Sequence, residues 1–268
     1  MYKLGLNVQK SDALTPREQI AVMKRCGFQA FFSPWDVDVA QCRAAADALG
    51  MIYHSVHAPF HNIIRPLWFQ EEDRQRAIRE LKDCVDRCRE NNVAIMVVHA
   101  YSTFQLDCPI TRQAIDNFRE VVDYAGQNNV KIAFENLQGE KYLIALMDAF
   151  AEYDHVGICW DSGHEHCYHP WEQLLKRYGN RLLATHLNDN MGITHPEGVI
   201  AGVDDRHLLP FTGTRDWVRT AQLLRQCRLP EVLTFELKCA PTNNAGTLEA
   251  YITKCYAAAR KFSQLMEK

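Results

Sequence analysis

The sequence predicts a single-domain (β/α)8 TIM barrel spanning residues 1–268. Eight short runs rich in Val, Ile, Leu and Phe recur along the chain, mostly continuous rather than alternating, as in strands covered on both faces. Each is followed by an amphipathic helical pattern, and eight such units in 268 residues match the usual size of the closed barrel. The turn after the first run, Asn7-Val8-Gln9-Lys10-Ser11-Asp12, lacks the glycine-rich phosphate signature of a doubly wound open sheet. No low-complexity linker or composition break divides the chain.

In order, the strand-like runs are Lys3–Val8, Gln29–Ser33, Ile52–His57, Ala94–His99, Lys131–Leu137, Val156–Asp161, Leu182–Asn188 and Val232–Leu237. The first helix opens on Thr15-Pro16-Arg17-Glu18, a capping box with proline at its first position, and runs to Gly27. The second runs from Asp38 to Gly50, with Asp38 and Gln41 in capping-box spacing. Glu71–Asn91, Thr111–Gln127, Lys141–Ala151, Pro170–Tyr178, Asp216–Arg228 and Thr247–Met266 supply the other six. Gly27, Gly50 and Gly179 stand where helix C-terminal caps are expected.

Composition narrows the function classes. Thirty Lys and Arg against 33 Asp and Glu give a net charge of −3, which excludes a broadly basic nucleic-acid coat. No run reaches the ~18 apolar residues of a membrane span, and the N-terminus has no basic region followed by an apolar core, so neither membrane span nor signal peptide is expected. The ten cysteines form no CxxC pair and fall largely inside helix and strand patterns, as expected of reduced thiols in a cytoplasmic protein.

Barrel active sites lie at the C-terminal ends of the strands. Strands three to eight each place an ionisable residue there: His57, His99, Glu135, Asp161 followed by His164, His186 and Glu236. Six such groups at one mouth would suffer desolvation and mutual repulsion unless a divalent metal neutralised them. Oxygen and imidazole donors favour Mn²⁺, Zn²⁺, Co²⁺ or Mg²⁺. Glu135, Asp161, His186 and Glu236 come from consecutive strands and can meet on one ion, while His57, His99 and His164 approach from the neighbouring arc. Residues 190–213 form the longest connection, and their Asp204-Asp205-Arg206-His207 adds Asp205 and His207 as further candidate ligands.

The ordered series HAPF, VVHAY, FEN, D-x-x-H, HLNDN, D-x-H-L-x-P and FEL, from about residue 51 to 238, resembles the xylose-isomerase-like TIM-barrel superfamily of sugar phosphate isomerases and epimerases, ketose 3-epimerases, inosose dehydratases and type IV apurinic endonucleases. Its ketose 3-epimerase branch implies one metal on Glu135, Asp161, His186 and Glu236, with His164 contacting substrate. Its endonuclease branch implies three ions on His57, His99, Glu135, Asp161, His164, His186, Asp205, His207 and Glu236, so one to three ions are expected. The arginine that ketose 3-epimerases commonly carry just beyond the strand-seven histidine is absent: residues 187–192 read Leu-Asn-Asp-Asn-Met-Gly.

The leading expectation is a divalent-metal-dependent sugar or sugar-phosphate isomerase/epimerase working by proton transfer through a metal-stabilised enediolate. Glu135 and Glu236 are the proton-transferring carboxylates, and His164 polarises a substrate oxygen. His57, His99, Lys238 and Arg206 bind substrate, with Arg65 as a further anchor. Trp35, Phe60, Trp68, Phe69 and Phe211 are candidate pocket walls, and Trp160 is assigned to the core. The alternatives are a metal-dependent phosphodiesterase on abasic DNA, an inosose-dehydratase-like lyase and a noncatalytic sugar-binding barrel. Nucleic acid is disfavoured because Asp36, Asp38, Glu71, Glu72, Asp73, Asp189, Asp204 and Asp205 outnumber Arg65, Arg74, Arg206 and Arg215 in the mouth loops. Association into a homo-oligomer is left open.

Overall fold

The computed structural model describes residues 2–69, 72–168, 173–195, 197–238 and 245–268. Eight strands, β1 (Lys3–Asn7), β2 (Ala30–Pro34), β3 (Ile52–His57), β4 (Ile95–His99), β5 (Lys131–Glu135), β6 (Val156–Asp161), β7 (Leu182–His186) and β8 (Val232–Phe235), pair in parallel in the order β7-β6-β5-β4-β3-β2-β1-β8. The last gap closes by a different device. Thr234 N donates to Thr185 Oγ1 at 3.0 Å, Leu187 N donates to Thr234 O at 3.0 Å, and Glu236 N donates to Leu187 O at 3.3 Å. Two threonine hydroxyls thus stand in for part of the ladder between β7 and β8.

The helices are α1 (Pro16–Cys26), α2 (Val39–Leu49), α3 (Ile64–Phe69), α4 (Arg74–Glu90), α5 (Arg112–Gln127), α6 (Glu140–Ala149), α7 (Ser162–Tyr168), α8 (Gln173–Tyr178), α9 (Trp217–Leu224) and α10 (Ala245–Met266). The Thr15–Glu18 capping box forms in full, whereas Asp38 accepts from Gln41 N at 2.9 Å without a reciprocal bond. Gly27 and Gly50 end α1 and α2 in the left-handed region, with φ of 107° and 60°. Gly179 is no such cap. It opens a 3₁₀ turn, and a Cβ there would stand 2.5 Å from Cys227 Sγ, so close approach is what demands glycine.

Two short helices, α3 and α7, were not expected; six and seven residues are too few for helical periodicity to show. Strands β5 and β7 end two residues early, and β8 ends before Glu236. Past those ends side chains take over much of the bonding: Asn136 and Asn188 bond Asp161 at the end of β6, and Asn190 and Asp189 bond Arg206 N and Gly213 N in the following loop. Glu71 and residues 170–172, within two expected helices, lie outside the described residues.

Pleating makes the site. Val97, Ala133, Cys159 and Ala184 form a small apolar cluster inside the barrel, and two residues further along the same strands stand His99, Glu135, Asp161 and His186. The small side chains leave room for the ionisable layer above them. Phe31, Val56, Met96, Phe134 and Trp160 face the helices in the main core. Helix α4 answers with Ala77, Ile78, Leu81, Cys84, Val85 and Cys88, one apolar face at helical spacing. All nine described cysteines are free, and Cys239 lies outside the described residues. Among the described residues, no helix is long and apolar enough to cross a membrane.

Glu140, at the start of α6, is buried with both carboxylate oxygens unpartnered. Burial, with the nearby Glu165 charge, pushes its carboxyl up to about 8 from 4.5. A folded-state value raised in this way costs stability as pH rises from the unfolded value toward the folded one. Glu140→Gln therefore raises Tm at about pH 8.5 by ~4 °C, and the two proteins converge near pH 4.5. Thermal melts across that range check this; a constant difference at every pH contradicts it.

Candidate metal centre and cavity

The strand ends deliver their side chains by register. His99 lies opposite Glu135 across the β4–β5 pair, and Asp161 opposite His186 across β6–β7. Among the described residues, three groups of imidazole and carboxylate result, in each of which the atoms lie within 4.8 Å of one another: His57, His99 and Glu135; Glu135, Asp161, His186 and Glu236; and His164, Asp205 and His207; a fourth, Glu135, Cys159 and His186, brings in a thiol. Of the three without a thiol, Glu135 belongs to the first two. Its Oε2 faces His57 Nε2 at 3.0 Å and His99 Nε2 at 3.4 Å, while its Oε1 faces His186 Nδ1 at 2.9 Å. Glu236 Oε2 is 3.1 Å from the same His186 nitrogen. In the third group, Asp205 Oδ2 lies 3.3 Å from His164 Nε2 and 3.1 Å from His207 Nε2.

A supporting layer orients these donors, and sequence reasoning passed over most of it. Asn136 grips the Asp161 backbone twice, accepting from its N at 2.7 Å and donating to its O at 2.9 Å. Asp161 Oδ1 accepts from His164 N at 2.6 Å, so the carboxylate also caps α7, and its Oδ2 accepts from Asn188 Nδ2 at 2.8 Å. Asn190 Oδ1 accepts from the backbone N of Arg206 at 2.7 Å and of His207 at 3.1 Å. That clamp holds His207 at φ 47°, a left-handed conformation rare outside glycine. Asp189 gathers the loop end, accepting from Gly213 N at 3.0 Å and Trp217 Nε1 at 2.9 Å. The motif HLNDN is thus one donor followed by three braces. A signal was present: three consecutive Asn/Asp residues directly after a strand must satisfy side chains as well as backbone. Phe32 stacks on the His186 ring at 4.5 Å.

Arg215 and Glu165 make a buried ion pair at 2.9 Å, with Trp160 Nε1 also donating to Glu165 at 2.8 Å. Asp189 and Asp204 are buried as well, so these two and Arg215 do not contribute the mouth charge that their loop positions suggested.

Electrostatics follow from burial and proximity. Burial opposes charge on Glu135, yet His186, His57 and His99 hold its carboxyl well below the usual range. Burial likewise opposes charge on His186 and His164, yet both are raised well above 6.5, with Glu135 and Glu236 facing His186 and Asp161 and Asp205 facing His164. His99 goes the other way: burial, with His57 and His164 nearby, lowers it. Asp161 is pushed up to about 6 chiefly by burial. Glu236, despite its burial, is held down to about 2 by His186 and His207.

The donor set fits a divalent cation. His57 Nε2 and His99 Nε2 approach to 3.1 Å while both face one carboxylate oxygen, and His186 Nδ1 faces two carboxylates. Lone pairs directed to common points, without thiolate in the four-residue group, suit Zn²⁺, Mn²⁺, Co²⁺ or Mg²⁺.

Above the donors opens a cavity of about 640 Å³. His57, His99, His164, Asp205, His207, Glu236 and Lys238 line it. Fully buried Glu135, Asp161 and His186 lie beneath that lining. Arg206, expected to bind substrate, does not line it. Its neighbours Asp205 and His207 turn inward, which leaves the Arg206 side chain exposed outside. Arg65 is also outside, over the Phe69 ring at 4.6 Å. Of the expected aromatic walls, Trp35 and Phe60 line the cavity; Trp68 is buried and donates to Ala100 O at 2.8 Å, and Phe69 and Phe211 pack against the core. Phe32, Phe104, Tyr168 and Gln138 line it without having been anticipated.

A family model described as xylose isomerase-like TIM barrel matches residues 20–254. The chain belongs to the xylose isomerase-like TIM barrel family. Among curated proteins it is similar to the uncharacterized protein y4fM of Sinorhizobium fredii (strain NBRC 101917 / NGR234), 28% identical over 262 residues, covering 86% of this chain and 80% of the relative. Among solved structures, the family member resembles D-psicose 3-epimerase with D-tagatose from Clostridium cellulolyticum H10 (TM-score 0.72, 14% identity, 98% of this chain and 99% of the other). It also resembles the IOLI protein with a bound zinc atom (TM-score 0.71, 17% identity, 99% and 98%). At these identities the likeness to solved structures is one of fold.

Proposed function

We propose that this protein is a divalent-metal-dependent isomerase or epimerase of a small sugar or sugar phosphate. The observation that carries the reading is the group Glu135, Asp161, His186 and Glu236, set beneath a cavity whose lining, among the described residues, includes no arginine. Similarity in fold to ketose 3-epimerases supports it. When bound there, a divalent cation polarises adjacent carbonyl and hydroxyl oxygens and stabilises enediolate charge.

The chain's own residues would divide the remaining work. Glu236, whose side chain is 21% exposed, opens onto the cavity and takes the proton alpha to the carbonyl. Glu135, fully buried, holds the centre together from below, and from that floor it would return a proton to carbon, completing the transfer that Glu236 begins. His164 is set by its Nδ1 on Asn136 O at 3.0 Å and stands over the cavity to polarise a substrate oxygen. His57 and His99 flank the bound oxygens, and Lys238 stands at the rim. Trp35 and Phe60 offer apolar faces to a sugar ring.

Incubation of the metal-loaded protein with a ketose panel in heavy water is expected to place deuterium at carbon. Absence of exchange with every ketose and ketose phosphate overturns the reading. A second reading has one observation in its favour: the three donor groups, two of them joined through Glu135, together could hold more than one ion, as a phosphodiesterase on abasic DNA requires. Against it, the lining lysines are Lys10 and Lys238, and Lys10 is paired with Asp36 at 3.1 Å. Nicking of abasic duplex without carbon-bound deuterium would reverse the order.

A further inference from the structure

We propose that the ligand of this cavity is a sugar bearing an aromatic substituent on the carbon remote from its carbonyl, and that Phe104 receives that substituent. The inference rests on the sugar reading above and deepens it. Among the described residues, every exposed large apolar side chain except Val218 belongs to the loops after β4 and β7, and Val218 opens α9 at the same end of the barrel. Single apolar side chains scattered over a surface are ordinary. Their concentration around one cavity mouth marks a contact surface.

Phe104 is where that rim meets the cavity. It follows β4, lines the cavity and is still 48% exposed. A Cβ at Gly202 would stand 3.7 Å from its ring, so the long loop after β7 passes beside it. Val203, the next residue of that loop, is 74% exposed. Inward, the Phe104 ring meets Tyr168 edge-on at 5.8 Å, and Tyr168 stacks on His164 at 5.7 Å. An aromatic wall therefore climbs from the donor layer to open solvent. Trp35 and Phe60 are half-buried and suit the sugar itself. Phe104 lies two ring contacts out from His164, and a bare sugar seated at the donors leaves its exposed part in water.

Charge and orientation fix the rest. Outside the donor groups, the charged lining residues are Lys10, Asp36 and Lys238, which follow β1, β2 and β8. Round the eight-stranded barrel, β8 and β2 stand opposite β4 and β6, the strands that lead to Phe104 and Tyr168. A substituent on the Phe104 side is thus apolar rather than a phosphate. With the carbonyl and its neighbouring hydroxyl at the donors, the other end of the carbon chain points to the mouth. An aryl group there can pack face-on or edge-on against Phe104.

The test is calorimetric binding of two unreactive polyol ethers, 6-O-benzyl-D-sorbitol and 6-O-methyl-D-sorbitol, to the metal-loaded protein. They differ by one phenyl ring. The benzyl ether is expected to bind the wild type about tenfold more tightly, the effect of withdrawing roughly 55 Å² of apolar surface from water. Phe104→Ser should erase the difference, with metal content and Tm unchanged because the side chain is half exposed. Phe104→Leu should keep a large part of it. Equal affinity of the two ethers for the wild type overturns the proposal, as does a preference that survives in Phe104→Ser, or wild-type protein that binds neither ether. Sedimentation at the calorimetric concentration tests the other occupant. Self-association of the wild type that Phe104→Ser abolishes assigns the rim to a second copy of the chain and overturns the proposal. Deuterium exchange on ketoses separates this inference from the reading beneath it. Exchange together with equal ether affinities removes the substituent and leaves the isomerase standing; a Phe104-dependent benzyl preference without exchange does the reverse.

Discussion

Glu135→Gln is expected to strip the centre of metal and abolish carbon-bound deuterium exchange. The carboxylate is fully buried and divides its oxygens between two donor groups, Oε1 toward His186 at 2.9 Å and Oε2 toward His57 at 3.0 Å. Glutamine keeps the shape, but it removes the negative charge that faces the imidazoles of His57, His99, His164 and His186 and replaces one acceptor oxygen with a donor amide. Loss of an outer brace alone typically lowers metal affinity about 10–100-fold, so loss of a ligand shared by two groups should exceed ~100-fold. His207→Ala should differ in kind, since His207 belongs only to the third group. Elemental analysis after gel filtration, alongside the exchange assay, separates the cases. Full metal content with wild-type exchange in Glu135→Gln would remove Glu135 from the centre.

Arg215→Met is expected to be the most destabilising single change outside the donor set. The guanidinium is buried, donates to Glu165 Oε1 at 2.9 Å and to Ser162 O at 2.6 Å, and lies 4.9 Å above the Trp160 ring. Methionine fills much of the volume but removes the guanidinium that faces the buried Glu165 carboxylate. Breaking a buried pair from one side costs about 3–5 kcal/mol, or roughly 10 °C in Tm for a domain of this size. Adding Glu165→Gln should recover a large part, because the buried charge that Arg215 offset goes with it. The pair also ties α7, which carries His164, to the end of the loop that carries Asp205 and His207. Metal affinity should therefore fall together with stability. A wild-type melting curve for Arg215→Met would show that the pair is dispensable.

The barrel could be read from local pattern because each unit declares itself within about 30 residues: an apolar run, a turn, an amphipathic helix. The six strand-end donors could be read because a polar residue where such a run stops has few places to point. Reading weakened in the loops. Arg206 lies between two inward-turning neighbours and faces solvent, since the Asn190 clamp dictates the turn. Trp68 looked like a pocket wall and is a core residue bonded to Ala100 O. Asp189, Asp204 and Arg215 looked like loop charges and are buried structural groups. Each depends on partners ten or more positions away, which no local pattern records.

The identity and order of the donors were written in the chain, because strand pleating delivers every second side chain to the barrel axis. Their division into three groups, with Glu135 common to two, came from how the eight strands close on one another. So did the bracing by Asn136, Asn188 and Asn190. Closure sets distances between residues remote in sequence, and hydrogen bonding and charge pairing are decided at those distances.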